Sequence, residues 1–364
     1  MTRACRERGG QMTRKRWAQL ALALLFLSLG GIIALVAWVD PFEIYHQATM
    51  FIPPITNGTQ NYANAGIAKS YDYDSVVIGS SMTENFTPSQ LDALLGGSFV
   101  KLCINGGSPY NHKQMMDMAF GTHDIVRVLY GADIEALTYF YTTPKTEMPE
   151  YLYDDDLFND VRYWFNKSVL AKYVPKTLLT FGRTDPDLRD TMYNWGDLYP
   201  YGEEAALASV RFIASAVEQE PPSDDPQLSQ QSRLNVEYNI LPYVQAHPQT
   251  EFIFFVPPYS LARWYEFYAS GVLGYHLTQK EALISRLLPY DNVRIYDFQA
   301  ELSWITDLSN YIDAGHYGPW INDAMIEAIA ADEYRVRSLT DARANDAILR
   351  EKTEELALAG EWIY

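Results

Sequence analysis

Residues 17–39, WAQLALALLFLSLGGIIALVAWV, run for 23 positions without a formal charge. At 1.5 Å rise per residue that is about 35 Å of helix, enough to cross a hydrocarbon layer of about 30 Å. Gln19 is the only strongly polar side chain in the run. Upstream, Arg3, Arg6, Arg8, Arg14, Lys15 and Arg16 stand against one acid, Glu7. An excess of bases keeps its flank cytoplasmic, so the tail 1–16 is expected inside and the rest of the chain outside. Trp17 and Trp38 sit near the two ends, where an indole buries its body and keeps its N–H wet. A cleaved leader is the competing reading. The run exceeds the usual apolar stretch of such leaders, and no small-x-small site precedes Asp40-Pro41, so an uncleaved single-pass anchor is expected.

The chain of 364 residues is 48% hydrophobic and 20% charged, which describes a folded chain with one large domain or two smaller ones. Its 28 bases against 46 acids, a formal −18, argue against a broad basic face for nucleic acid. Taking away the tail's six bases and Glu7 leaves 22 bases and 45 acids, a formal −23, on the translocated side. That balance also opposes a polybasic membrane-surface role for the outer part as a whole. Two cysteines, Cys5 and Cys103, cannot build a multi-bridge framework, and no disulfide is expected.

Residues 40–72 mix Pro, Gly, Asn and aromatics without sustained periodicity and read as a connector. From 73 the pattern turns regular. Residues 74–79 form a short apolar run typical of a strand buried on both faces. Thr87-Pro88-Ser89-Gln90 predicts a helix start, with a capping hydroxyl and proline at the first helical position. Strands are expected again at 98–103, 125–130, 251–256 and 292–298, with a helix from about 111 to 120 and others between the later strands. This alternation specifies a doubly wound α/β sheet over 73–335. The rhythm is lost over 136–230, a segment dense in Tyr, Trp and acids that reads as a mostly helical insertion with a loop at 220–226. Residues 336–364 read as a C-terminal helix and tail, the helix ending near Gly360.

Open α/β sheets place ligands beyond the carboxyl ends of their strands, so the turns there hold the candidate chemistry. The first strand ends in Gly79-Ser80-Ser81-Met82, where a serine hydroxyl can stand at the sheet rim; a small residue in a tight turn explains the same letters. The second ends in Cys103-Ile104-Asn105-Gly106-Gly107, whose glycines permit close backbone approach. The third ends in Gly131-Ala132-Asp133, a rim carboxylate or a turn cap. Near the end, Asp313-Ala314-Gly315-His316 places a carboxylate three residues before an imidazole, a spacing that lets Asp313 hold Nδ1–H while Nε2 faces a nucleophile. His46, His112, His123, His247 and His276 have no Asp three residues before them and read as helix, capping or surface residues.

The ordered blocks, Ser81 after the first strand, a Gly turn after the second, Gly-x-Asp after the third and a late Asp-x-x-His, resemble the SGNH (GDSL-like) hydrolase superfamily. GSSMTENF, DAGHYGPWIND and PPYS after the fourth strand carry most of the likeness, which spans roughly 73–331. The chain is most similar to bacterial membrane-anchored members, including proteins of alginate acetylation and teichoic-acid D-alanylation. The resemblance implies a flavodoxin-like three-layer sandwich with a central parallel sheet. It makes Ser81 the nucleophile, His316 the base and Asp313 its orienting carboxylate. Backbone N–H groups of Ser81 and Gly106 become oxyanion donors, and Asp133 takes the position where the family's third donor, an Asn, is expected. Ser80 replaces the acid of Gly-Asp-Ser. The implied activity is a serine esterase or O-acyltransferase on acyl esters of a cell-envelope glycan, the transferase form working beside a multi-span membrane acyltransferase. No cofactor or metal is implied. The other class of reading is a non-catalytic scaffold or glycan-binding subunit of an envelope polysaccharide modification system.

Overall fold

The structure is a computed structural model describing residues 4–208, 210 and 226–359. Glu220 to Asp225 of the expected loop, Gly360, and Arg3 of the basic tail lie outside the described residues. The chain divides into two compact units, one of residues 1–54 and 150–185, the other of 55–149 and 186–364.

The larger unit is built on five parallel strands, β1 Ser75–Ile78, β2 Phe99–Lys101, β3 Arg127–Gly131, β4 Glu251–Val256 and β5 Val293–Asp297, in the order β2-β1-β3-β4-β5. Val76 lies beside Val100 on one side and Val128 on the other, and Phe254 lies between Tyr130 and Ile295. Both faces are covered, which is why β1 and β4 hold the continuous apolar runs 76–78 and 252–256 instead of alternating ones. The chain steps one way from β1 to β2 and the other way from β2 onward. With right-handed crossovers this reversal puts successive helices on opposite faces and opens a crevice at the carboxyl ends of β1 and β3. In keeping with that, helix Pro88–Leu95 packs on helix Pro319–Ala330, while helix Pro109–Thr122 packs on helix Gln60–Ser70.

Two local expectations differ from what is found. Thr87 occupies the cap position before Pro88, but its hydroxyl makes no capping bond; the Ser89 N–H is instead taken by Asp190 Oδ1 at 2.8 Å, from a hundred residues further on. The full capping box stands one helix later, at Ser108 and Asn111. The connector expected over 40–72 is divided, since Gln60–Ser70 is a buried helix of the sheet unit. Its small side chains, Ala63, Ala65, Gly66 and Ala68, give a weak periodic signal yet let the helix pack closely. Asn64 fixes it, donating to the Cys103 carbonyl at 2.9 Å and accepting from the Tyr193 hydroxyl at 2.7 Å.

The C-terminal helix, Leu339–Ala359, lays Ala342, Leu349, Thr353 and Ala357 into the unit. A buried ion cluster ties it to the sheet. Lys280, wholly buried, bonds Asp297 at the end of β5 at 2.9 Å and meets Asp346 of this helix at 2.6 Å. Burial works against the Lys280 charge, but the two carboxylates outweigh it and its pKa is raised.

The smaller unit begins with helix Ala4–Val39, whose portion Arg14–Val39 is long and apolar enough to cross a membrane. Leu20, Phe26 and Leu27 are exposed along it, which suits an apolar surrounding. Asp40 stops the helix with φ +40° and a buried carboxylate that accepts the N–H groups of Ile44, Tyr45 and His46 at 3.0, 2.7 and 3.1 Å. Residues 150–185, expected within the 136–230 insertion, belong to this unit. The Tyr45 hydroxyl donates to Asp160 at 2.9 Å and accepts from Trp164 Nε1 at 2.8 Å, and Trp38 packs its ring against Phe51 and Phe181.

Replacing Lys280 with methionine strands two carboxylates without their cation. The expected loss is about 3–5 kcal/mol, the range for breaking one side of a buried ion cluster. Denaturant titration of the full chain in detergent checks it, and an unchanged midpoint would show that the cluster does not hold the C-terminal helix down.

Candidate active site

The turn after β1 is shaped by one side chain. Thr83 sits where a Cβ on Gly79 or on Gly131 would lie 2.5 Å from its Cγ2, so both strand ends need glycine for close approach. Its hydroxyl donates to the Ser80 carbonyl at 2.7 Å, closing the short 3₁₀ turn Ser81–Thr83. Ser81 is thereby lifted to the rim at the β1/β3 crevice.

There its hydroxyl meets an imidazole 235 positions further along, with Ser81 Oγ 2.8 Å from His316 Nε2. His316 Nδ1 lies 2.7 Å from Asp313 Oδ2, while Asp313 Oδ1 accepts the N–H groups of Gly315 and His316, each at 2.8 Å. The histidine loop is itself pinned. The Ala314 carbonyl accepts the Ser260 N–H and hydroxyl, and the Tyr311 hydroxyl donates to the Pro258 carbonyl at 2.9 Å, both beyond β4. The Tyr317 hydroxyl donates to the Met82 carbonyl at 2.9 Å, and Asn322 Nδ2 to the same oxygen at 3.3 Å. The histidine loop and the helix after it therefore both donate to one carbonyl of the serine turn, which fixes their spacing.

Charge is distributed to match. Burial disfavours imidazolium, but the hydrogen bond and charge of Asp313 outweigh it and raise the His316 pKa above its ordinary 6.5. Burial would raise Asp313, yet its bond to His316 and the two backbone N–H groups bring it below the usual carboxylate value. Beneath the turn, burial raises Glu84 to about 7 although Gln60 and Asn57 donate to it.

A cavity of about 300 Å³ opens in front of Ser81, and Gly106, Asp133, Lys145, Arg263 and His316 share its lining. Gly106, at φ +60°, brings bare backbone to this wall. Asp133 is also on it, but every bond its carboxylate makes is donated to it. Oδ1 accepts the Tyr259 hydroxyl and the N–H groups of Glu135 and Ala136, and Oδ2 accepts the Ser80 hydroxyl at 3.4 Å. In this arrangement Asp133 orients Ser80 and Tyr259. Arg263 is paired with Glu135 and Glu266, and Lys145 lies over the Tyr139 ring.

Sequence reasoning missed Trp195. Its indole N–H donates to the Ser81 carbonyl at 3.0 Å, and its ring stands edge-on to His316 with centroids 5.5 Å apart. Asn85 Oδ1 holds it by accepting the N–H groups of Trp195 and Gly196. Nearby, buried Lys101 donates to the carbonyls of Glu84 and Asp190 and to Asn194 Oδ1 at 2.8, 3.0 and 2.7 Å, and burial lowers its pKa to about 8. One lysine on β2 thus fastens the 190–195 stretch to the serine turn. A lysine inside a strand was the available signal.

The wedge at Thr83 is open to test. Gly131→Ala is expected to cost about 1–3 kcal/mol by overpacking. Adding Thr83→Ser, which deletes Cγ2 and keeps the hydroxyl, should restore most of that in the same unfolding measurement; equal losses with and without the serine would place the clash elsewhere. No family model matches this chain, and a search of curated proteins finds no match.

Proposed function

We propose that the chain is an SGNH-type serine ester hydrolase or O-acyltransferase, anchored by residues 17–39 in a bacterial cytoplasmic membrane with its main domain outside, acting on acyl esters of a cell-envelope glycan. The observation that carries this reading is the continuous line from Ser81 Oγ through His316 to Asp313, at 2.8 and 2.7 Å. It stands at the carboxyl end of β1, beside the switch point where doubly wound sheets bind ligands.

The chemistry follows from that line. His316 Nε2 takes the Ser81 proton as Oγ bonds to the ester carbonyl carbon, and Asp313 stabilises the imidazolium that forms. Backbone N–H groups of Ser81 and Gly106 receive the oxyanion, and collapse of the intermediate breaks the ester C–O bond as His316 returns its proton to the leaving alkoxide. The acyl-serine is then released to water, or to a sugar hydroxyl that His316 deprotonates. The glycan substrate and any multi-span acyl donor rest on the family likeness and on the anchor.

Asp133 favours a second reading, a non-catalytic glycan-binding or scaffold subunit, because it holds a carboxylate where a donor is expected. Losing one oxyanion donor costs about 10²–10³ in rate. Treatment of the full chain with a fluorophosphonate probe separates the two. Labelling that disappears in Ser81→Ala supports acyl chemistry, whereas an unlabelled parent chain supports the scaffold.

The pH profile gives an independent check. His316 acts only when neutral and its pKa is raised, so hydrolysis of a p-nitrophenyl ester should be suppressed at and below pH 6.5 and should rise at higher pH. Asp313→Asn removes the charge responsible and lets the amide favour the wrong imidazole tautomer. The acid limb should then move to lower pH while the rate falls by about 10⁴, as such replacements do in serine triads. A limb that stays in place would exclude His316 as the titrating base.

A further inference from the structure

Within a chain of formal charge −18, residues 161–184 carry Arg162, Lys167, Lys172, Lys176 and Arg183 and no acid. All five bases are exposed. Beside and between them stand exposed apolar side chains, Val161 just before Arg162, then Phe165, Leu179 and Phe181, the last two 85% and 56% exposed. The helical stretch Val169–Leu178 turns Val169, Val174 and Thr177 inward, which leaves Lys172, Lys176 and Leu179 along one outward stripe.

This segment belongs to the same unit as the apolar helix Ala4–Val39 and packs on its far end. Trp38 meets Phe181 with ring centroids 6.3 Å apart and Phe51 at 5.3 Å, and Gly182 N–H donates to the Met50 carbonyl at 2.8 Å. The span Arg14–Val39 has 26 residues. Its first three residues are the bases Arg14, Lys15 and Arg16, so the apolar remainder is about 35 Å against about 30 Å of hydrocarbon, and its last turn, with Trp38, stands at headgroup level. Whatever packs on Trp38 is held at that level too.

We infer that residues 161–184 form a seat on the membrane into which the chain is anchored, with Leu179 and Phe181 entering the interface and the five bases binding anionic phospholipid headgroups. Basic side chains interleaved with large apolar ones are the composition of an interfacial helix, and long Lys and Arg stems reach phosphates while covering apolar surface. The overall acidity of the outer part opposes membrane-surface binding; these 24 positions reverse it locally. The inference rests on the span reading of residues 17–39, and its test separates the two.

The full chain, with Cys5→Ser and Leu179→Cys carrying a bimane label, is reconstituted in vesicles of phosphatidylcholine alone or with about a quarter phosphatidylglycerol, each containing headgroup-nitroxide lipid. One base near an anionic surface is worth about fivefold in partition. Quenching at position 179 should therefore be at least about threefold stronger with phosphatidylglycerol, and the triple variant Lys167→Glu, Lys172→Glu, Lys176→Glu should return it to the phosphatidylcholine level. Equal quenching in the two lipids overturns the proposal, as does protection that grows with protein-to-lipid ratio, which would mark a second copy as the occupant. A chain that does not float with vesicles overturns the span reading itself; one that floats without the lipid difference overturns only the seat.

Discussion

The carbonyl of Met82 receives the Tyr317 hydroxyl and the Asn322 amide, and the geometry of the site depends on that shared acceptor. A serine turn after β1 and a histidine loop before the last sheet-covering helix have no sequence proximity to keep them in register. Two buried donors on one oxygen do so, because moving either element away would leave polar groups unpaired in an apolar setting. The Thr83 wedge works in the same direction from below. It packs the turn closely against the ends of β1 and β3, beside the Ser81 Oγ that lies 2.8 Å from His316 Nε2.

Around that rigid line the polar groups are arranged by sign. Asp313 receives three bonds and faces the imidazole from behind, so a positive charge forming on His316 finds its counter-charge already oriented. Asp133 also receives its bonds, but on the cavity side. The two carboxylates thus face different partners, one the imidazole and the other the cavity. Arg263 and Lys145 on the cavity wall are engaged with Glu135, Glu266 and Tyr139.

The sheet was legible because buried parallel strands are short apolar runs, and β1 and β4 fall within a residue of where those runs lie. Ser81, Asp313 and His316 were legible because a parallel sheet delivers strand-end turns to one rim. The rest escaped for identifiable reasons. Helix Gln60–Ser70 packs through Ala and Gly, which carry little hydrophobic contrast. The start of helix Pro88–Leu95 looked self-capped, but its N–H is satisfied by Asp190, a partner no local pattern reveals. Trp195 reaches the site only because Lys101 and Asn85 hold its segment, and the division of 136–230 between two units depends on aromatic contacts with residues before position 55.

The distance between serine and imidazole along the chain also has a consequence in time. With 235 positions between them and synthesis at about 5–20 residues per second, the hydroxyl emerges on the order of ten to fifty seconds before its partner. Throughout that interval the nascent chain carries an ordinary alcohol. Whatever reactivity the pairing confers therefore arises only once most of the polypeptide has been made, withheld until then by the order of synthesis.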